Sequence, residues 1–196
     1  MLLVAALLAA PLLAGCSGSG HSPAKPAATT TPIGKIDAAS VRIVRARFCD
    51  RVPAADVRAV LGGKPASDDS WGNGDPIPDQ GSGTGETGHE LGCAWTGAGG
   101  TAARAWVFAR PVTADFAGAL VRQAGQQPGC TAEPTPTFGR PALLQTCTLA
   151  GGVQRVRRAG LFGDTWLTCE ASGPAADLAK RADHWCAAVV AALAVG

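Results

Sequence analysis

Apolar positions along this chain form one unbroken run and then a series of short periodic segments. Residues Met1 to Gly15, MLLVAALLAAPLLAG, are almost wholly apolar and carry no charged side chain. Crossing a bilayer takes about 20 apolar residues, so the run is too short for a transmembrane helix and fits the core of an export signal. From residue 17 to about 40 the pattern dissolves into Ser, Pro, Ala, Thr and Gly. Such a stretch buries too little apolar surface to order itself, and residues 16–40 read as an anchor point and disordered tether. Periodicity starts at Val41, where VRIVRARF alternates like a first strand or extended lead-in, and residues 41–196 read as one domain.

Within the domain, Pro53 to Leu61 reads as a helix. Val57, Val60 and Leu61 share a face, and Gly62-Gly63 ends it. Residues 63–92 follow as a long loop rich in Gly, Asp and Pro. Leu91–Thr96 and Ala103–Ala109 alternate as a strand pair across the turn Gly97-Ala98-Gly99-Gly100, with Trp106 and Phe108 on one face of the second strand. Thr113 caps a helix to Gln123, with Phe116 and Leu120 on one face. Ala142–Leu149, Val153–Ala159 and Thr165–Ala171 read as three further strands. Leu178, Ala182, Trp185, Val189 and Leu193 then step by three or four along a terminal helix, Pro174 to about Leu193. The expected fold is α+β: an antiparallel sheet of about five strands with packed helices, an α/β sandwich in the order α-β-β-α-β-β-β-α.

Composition adds an address. The chain has 196 residues with 7 cysteines, an odd number that asks for one unpaired role. Leu13-Ala14-Gly15-Cys16 closes the apolar run and resembles the lipobox of bacterial lipoproteins, although no Lys or Arg precedes the run. The resemblance implies cleavage after Gly15, acylation of Cys16 and anchoring on the extracytoplasmic face of the cell membrane. Two or more acyl chains suffice for stable anchoring without a transmembrane helix.

The six other cysteines are Cys49, Cys93, Cys130, Cys147, Cys169 and Cys186. Outside the cytoplasm such cysteines form disulfides, and six allow 15 connectivities. The expected elements suggest one set. Cys169 on the last strand would staple Cys186 on the last helix, Cys130 and Cys147 would close the proline-rich segment between them, and Cys49 would reach Cys93. No C-x-x-C occurs, so neither a zinc ribbon nor a thioredoxin-like site is expected.

The order Cys49, helix, Leu61-Gly62, loop, Cys93-Ala94-Trp95 and terminal Trp185-Cys186 resembles a functionally uncharacterised family of small actinobacterial lipoproteins. That resemblance implies a lipobox, a Ser/Thr/Pro tether and one disulfide-bonded extracytoplasmic domain, and it supplies no catalytic residues.

Candidate chemistry is sparse. The net charge of +2 is too small to point to nucleic acid. No G-x-S-x-G, H-E-x-x-H, P-loop or dinucleotide fingerprint is present, and His21, His89 and His184 lie apart. The acidic loop, with Asp68, Asp69, Asp75, Asp79, Glu86 and Glu90, lacks the spacing of a calcium loop. No metal, cofactor or catalytic residue is therefore expected. Arg155, Arg157 and Arg158 lie on the strand VQRVRRAG; Arg155 and Arg157 share a face that reads first as solvent-facing, and all three are the sharper candidates for contact with an anion or partner. The Arg42, Arg45, Arg47, Arg51 and Arg58 stripe would lie near lipid headgroups or simply face solvent. The expected role is a membrane-anchored, non-catalytic binding or accessory module of the envelope, with a protein partner. The alternative is a carrier of a small ligand or lipid in a cavity between sheet and helices, and an envelope hydrolase ranks behind both.

Overall fold

The computed structural model describes residues 30–78 and 86–195. The export run, Cys16, the tether as far as residue 29 with His21, and the segment 79–85 with Asp79 lie outside the described residues. The elements run β1 (Arg42–Ile43), α1 (Ala54–Leu61), β2 (Pro65–Trp71), β3 (Glu90–Gly97), β4 (Ala102–Phe108) and α2 (Ala114–Ala124). They continue β5 (Cys130–Pro134), β6 (Ala142–Thr148), β7 (Gln154–Phe162), β8 (Thr165–Gly173), α3 (Leu178–Leu193) and β9 (Ala194–Val195).

Strands β2 to β8 form one antiparallel sheet of seven strands in the order β2-β3-β4-β8-β7-β6-β5, and β1 pairs with β9 apart from it. The expected count of about five corrects to seven, and the expected order gains strands at both ends of the sheet. The two additional strands, β2 and β5, are its edges. β2 reads PASDDSW and buries only Trp71, and β5 reads CTAEP with no buried residue. Their backbones are held by pairing to β3 and β6, so apolar alternation is not needed to form them. Asp68 and Asp69 on β2, and Pro134 on β5, are residues that discourage further strand addition at an edge. The anticipated first strand VRIVRARF shrinks to Arg42–Ile43, paired with Val195 and Ala194.

Period-two alternation gives the sheet two different faces. On one face Cys93, Ala105, Val107, Leu167, Cys169 and Ala171 are buried beneath α1 and α3. Leu178, Ala182, Trp185, Val189 and Leu193 of α3 are at most 3% exposed, so its apolar stripe meets this face over its full length. Trp185 stands edge-on to Trp95, with ring centres 5.3 Å apart, and its indole N–H donates to the carbonyl of Arg104 at 3.0 Å. Removing such a buried indole typically costs about 3–5 kcal/mol.

Part of the stretch expected as tether packs on the domain. Residues Ile33–Lys35 form a 3-10 turn, and Ile33, Ile36 and Ala38 pack on the same core. Isolated apolar residues in a Pro- and Thr-rich stretch show no period, yet each finds a place on a core that other elements have built.

Helix α2 covers part of the opposite face. Thr113 caps it, its hydroxyl accepting from the Phe116 N–H at 3.3 Å. Its inward stripe is Ala117, Leu120, Val121 and Ala124, set against Leu143, Ala159, Leu161 and Trp166. Phe116, expected on one helix face with Leu120, is 51% exposed.

Three disulfides join Cys49 to Cys93, Cys130 to Cys147 and Cys169 to Cys186. The first ties the segment preceding α1 to β3. The second links facing residues of β5 and β6, and the third fixes α3 to β8. Among the described residues no helix is long and apolar enough to cross a membrane.

Candidate functional site on the open sheet face

Strand register brings charged residues together on the face opposite α3. Arg104 of β4 lies across from Glu170 of β8, Glu170 across from Arg157 of β7, and Arg157 across from Gln145 of β6. The neighbouring row holds Trp71, Gly92, Trp106 and Thr168 on β2, β3, β4 and β8. Arg155, two residues before Arg157, belongs to the same face. Helix α2 covers the β5 to β7 side of this face and leaves the arginine row at its margin.

Glu170 is 3% exposed and is the anchor of the cluster. Arg157 Nε donates to its Oε2 at 2.7 Å, and Arg155 Nε stands 3.9 Å from the same oxygen. Arg155 Nη2 also reaches the Cys147 sulfur at 3.1 Å. Arg104 makes no ion pair among the described residues. Its guanidinium lies 5.0 Å from the ring centre of Trp71 and 5.7 Å from that of Trp106, and the Arg157 guanidinium is 5.5 Å from Trp106. Tryptophan faces attract such cations, which lets guanidiniums sit close to one another in a partly buried row. Gly92 permits the arrangement, because a Cβ there would collide with the Trp71 indole.

Arg155 and Arg157 thus share the buried carboxylate of Glu170, and Arg104 faces it from the neighbouring strand without an ion pair among the described residues. Burial pulls Arg104 below its ordinary pKa; the Glu170 charge opposes the shift and the Arg157 charge adds to it. Arg155 is lowered by the same causes, burial first and the Arg157 charge next. At the rim, burial raises the Glu90 carboxyl, although the Trp71 indole N–H donates to it at 3.4 Å and pulls the other way. Among the described residues, the buried side-chain polar atoms without a hydrogen-bond partner are Arg104 Nε, Arg155 Nε and Gln145 Oε1. All three belong to this face. Leaving such an atom unsatisfied costs on the order of 1–3 kcal/mol, so their coincidence marks a place where water, an ion or a ligand belongs.

Beside the row a cleft of about 190 Å³ opens between α2 and the sheet. Its lining is mixed: Arg157, Thr168, Gln123 and Gln127 supply polar groups, and Phe108, Leu120, Leu143 and Trp166 supply apolar wall. Beyond Phe108 a wider groove is bounded by His89, Glu90, Arg110 and the exposed Phe116.

The arginine expectation needs two corrections. Arg158 does not join Arg155 and Arg157: alternation sends it to the helix face, where it is 8% exposed and its Nε donates to Asp183 of α3 at 2.7 Å. Arg155 and Arg157 are not a solvated stripe either, because Glu170 draws both side chains inward, to 18% and 20% exposure. Arg104, Glu170, Trp71 and Trp106 were not singled out from the sequence. The available signal was a charge at the centre of an otherwise apolar strand, Arg104 in AARAWVF and Glu170 in TWLTCEASG. The basic stripe near residue 45 is partly paired, Arg45 with Asp164 and Arg47 with Asp75. His184 sits on α3 and bonds Asp56 of α1 at 2.8 Å, bridging two helices away from the open face.

No protein-family model and no curated protein matches the chain. Among solved structures it is similar to the extracellular domain of PknH from Mycobacterium tuberculosis, at 18% identity and a TM-score of 0.45. That match covers 84% of this chain and 98% of the other.

Proposed function

We propose that this chain is a lipid-anchored, extracytoplasmic binding module that acts without catalysis, and that its binding surface is the open sheet face. The observation that carries the reading is the cluster of Arg104, Arg155 and Arg157 around the single buried carboxylate of Glu170, with unsatisfied donors concentrated there. A structural salt bridge needs one cation per carboxylate; two further guanidiniums need an anionic visitor or water. The three disulfides support folding in an oxidising compartment. The Leu-Ala-Gly-Cys sequence ending the apolar leader supports the lipid anchor.

The carrier reading required a cavity between the sheet and its helices. Trp185, Val189 and Leu193 are fully buried between α3 and the sheet, so the main interlayer space is filled by side chains. Binding is therefore assigned to the opposite face, beside α2. Amide hydrogen exchange of the full chain, with and without a small-molecule extract of cell envelopes, tests the assignment. Protection on β4, β7 and β8 is the expected result. Protection confined to α1 and α3, or none at all, would overturn it.

A further inference from the structure

The cleft beside the arginine row has a definite size and polarity, and these narrow what it holds. We infer that its occupant is a small organic anion, a carboxylate on a compact, ring-sized apolar body; this rests on the reading of the open face as the binding surface.

Three observations carry the inference. The first is volume. A cavity of about 150 Å³ accepts a benzene ring, so about 190 Å³ takes a ring with one small substituent. A diacyl lipid is far too large for it. The second is division of the lining. Phe108, Leu120 and Trp166 offer apolar wall, whereas Arg157, Thr168 and Gln123 supply polar groups. A ligand that satisfies both must itself be amphipathic. The third is charge. Arg157 uses Nε for Glu170, and its two terminal amino groups make no hydrogen bond to the described residues. They form the planar pair of donors that a carboxylate accepts in bidentate fashion. An anion there also offsets the repulsion between Arg157 and Arg155, where the Arg157 charge outweighs the opposing charge of Glu170.

The direction of the ligand follows. Its carboxylate meets Arg157 at the margin of the arginine row, beside the Trp106 ring. Its apolar body lies under α2, between Leu120 and Trp166. Inorganic anions would satisfy the charge but leave the apolar wall unused, and neutral rings would do the reverse.

Isothermal titration calorimetry of the full chain in detergent micelles tests this, using benzoate, benzamide, acetate and inorganic phosphate as probes. Benzoate is expected to bind best. Benzamide, which keeps the ring and loses the charge, is expected to bind roughly tenfold or more weakly, the ratio that about 1.4 kcal/mol of charge-assisted hydrogen bonding produces. Acetate and phosphate should trail because neither fills the wall. Leu120→Trp, which fills the cleft from α2, should abolish benzoate binding. Arg157→Lys keeps the charge beside Glu170 but loses the forked donor, and should weaken benzoate roughly tenfold. Equal binding of benzamide and benzoate would overturn the inference, as would benzoate binding indifferent to both substitutions. Failure of every probe would also overturn it. If envelope extract still protects β4, β7 and β8, the open face stands as the binding surface and only the ligand class falls. If it does not, both fall together.

Discussion

At the scale of single residues, Glu90 shows how one position combines fold and pH response. It lies across from Phe108, one row beyond Trp71 on the same face, and its carboxyl accepts the Trp71 indole N–H at 3.4 Å. Burial raises its pKa above the ordinary 4.5 despite that bond and despite the nearby Arg104 charge. The folded state therefore holds this proton more tightly than the unfolded state does. The stabilising contribution is fully present below about pH 4.5 and is lost as pH rises through the raised folded value. Glu90→Gln keeps an oxygen for Trp71 and removes the ionisation. Urea unfolding of the two proteins at pH 4 and pH 7 should show the variant gaining stability relative to the parent at the higher pH. Asp164, lowered by its hydrogen bond from Arg45, is present in both proteins and cancels from the comparison. A difference that does not change with pH would show that Glu90 titrates normally.

At the scale of elements, the disulfides divide by location more than by loop length. Cys130–Cys147 and Cys169–Cys186 each close a separation of 17 residues. Chain entropy alone assigns each about 3 kcal/mol. Their surroundings differ, however. Cys169 and Cys186 are both 0% exposed and fill space between β8 and α3, whereas of the other pair Cys147 is buried and Cys130 is partly exposed on the edge strand β5. Replacing Cys169 and Cys186 together by Ala removes the same cross-link and leaves a cavity in the core as well. That double variant should lose at least about 3 kcal/mol, or about 6–12 °C in melting temperature for a domain of this size. The Cys130/Cys147 double variant should lose less. Thermal unfolding followed by near-ultraviolet circular dichroism compares the two, and equal losses would show that α3 does not depend on its staple for packing.

For the whole molecule, the question is how the folded domain relates to its leader. Residues 1–47 carry five basic side chains and one acid, while residues 48–196 carry twelve and fourteen. The slight basic excess therefore belongs to residues 25–47, which would lie beside an anionic membrane surface if Cys16 is the anchor. Mass spectrometry of the membrane-extracted protein should find an acylated Cys16 at the mature N-terminus. Cys16→Ala should release the domain from the membrane fraction. An unmodified N-terminus at another position would remove the anchor from the proposal. Ile33, Ile36 and Ala38, which the Pro- and Thr-rich composition assigns to a tether, pack on the core of the domain.

Much of the architecture was legible in the chain. The three helices, the five interior strands and the buried stripe of α3 follow from periodicity, because each must pack an apolar face over several turns or alternations. The pairing of six cysteines followed once those elements were placed. The edge strands β2 and β5 were not legible, since an edge strand is held by backbone pairing and shows no apolar alternation. Nor was the arginine site. Alternation along β7 separates Arg158 from Arg155 and Arg157, which the sequence does reveal. That Arg104 and Glu170, 66 positions apart in numbering, become direct neighbours is decided only when β4 pairs with β8. Local pattern is a property of consecutive residues and survives in the sequence. A charge cluster assembled across three strands is a property of register, and register exists only in the folded sheet.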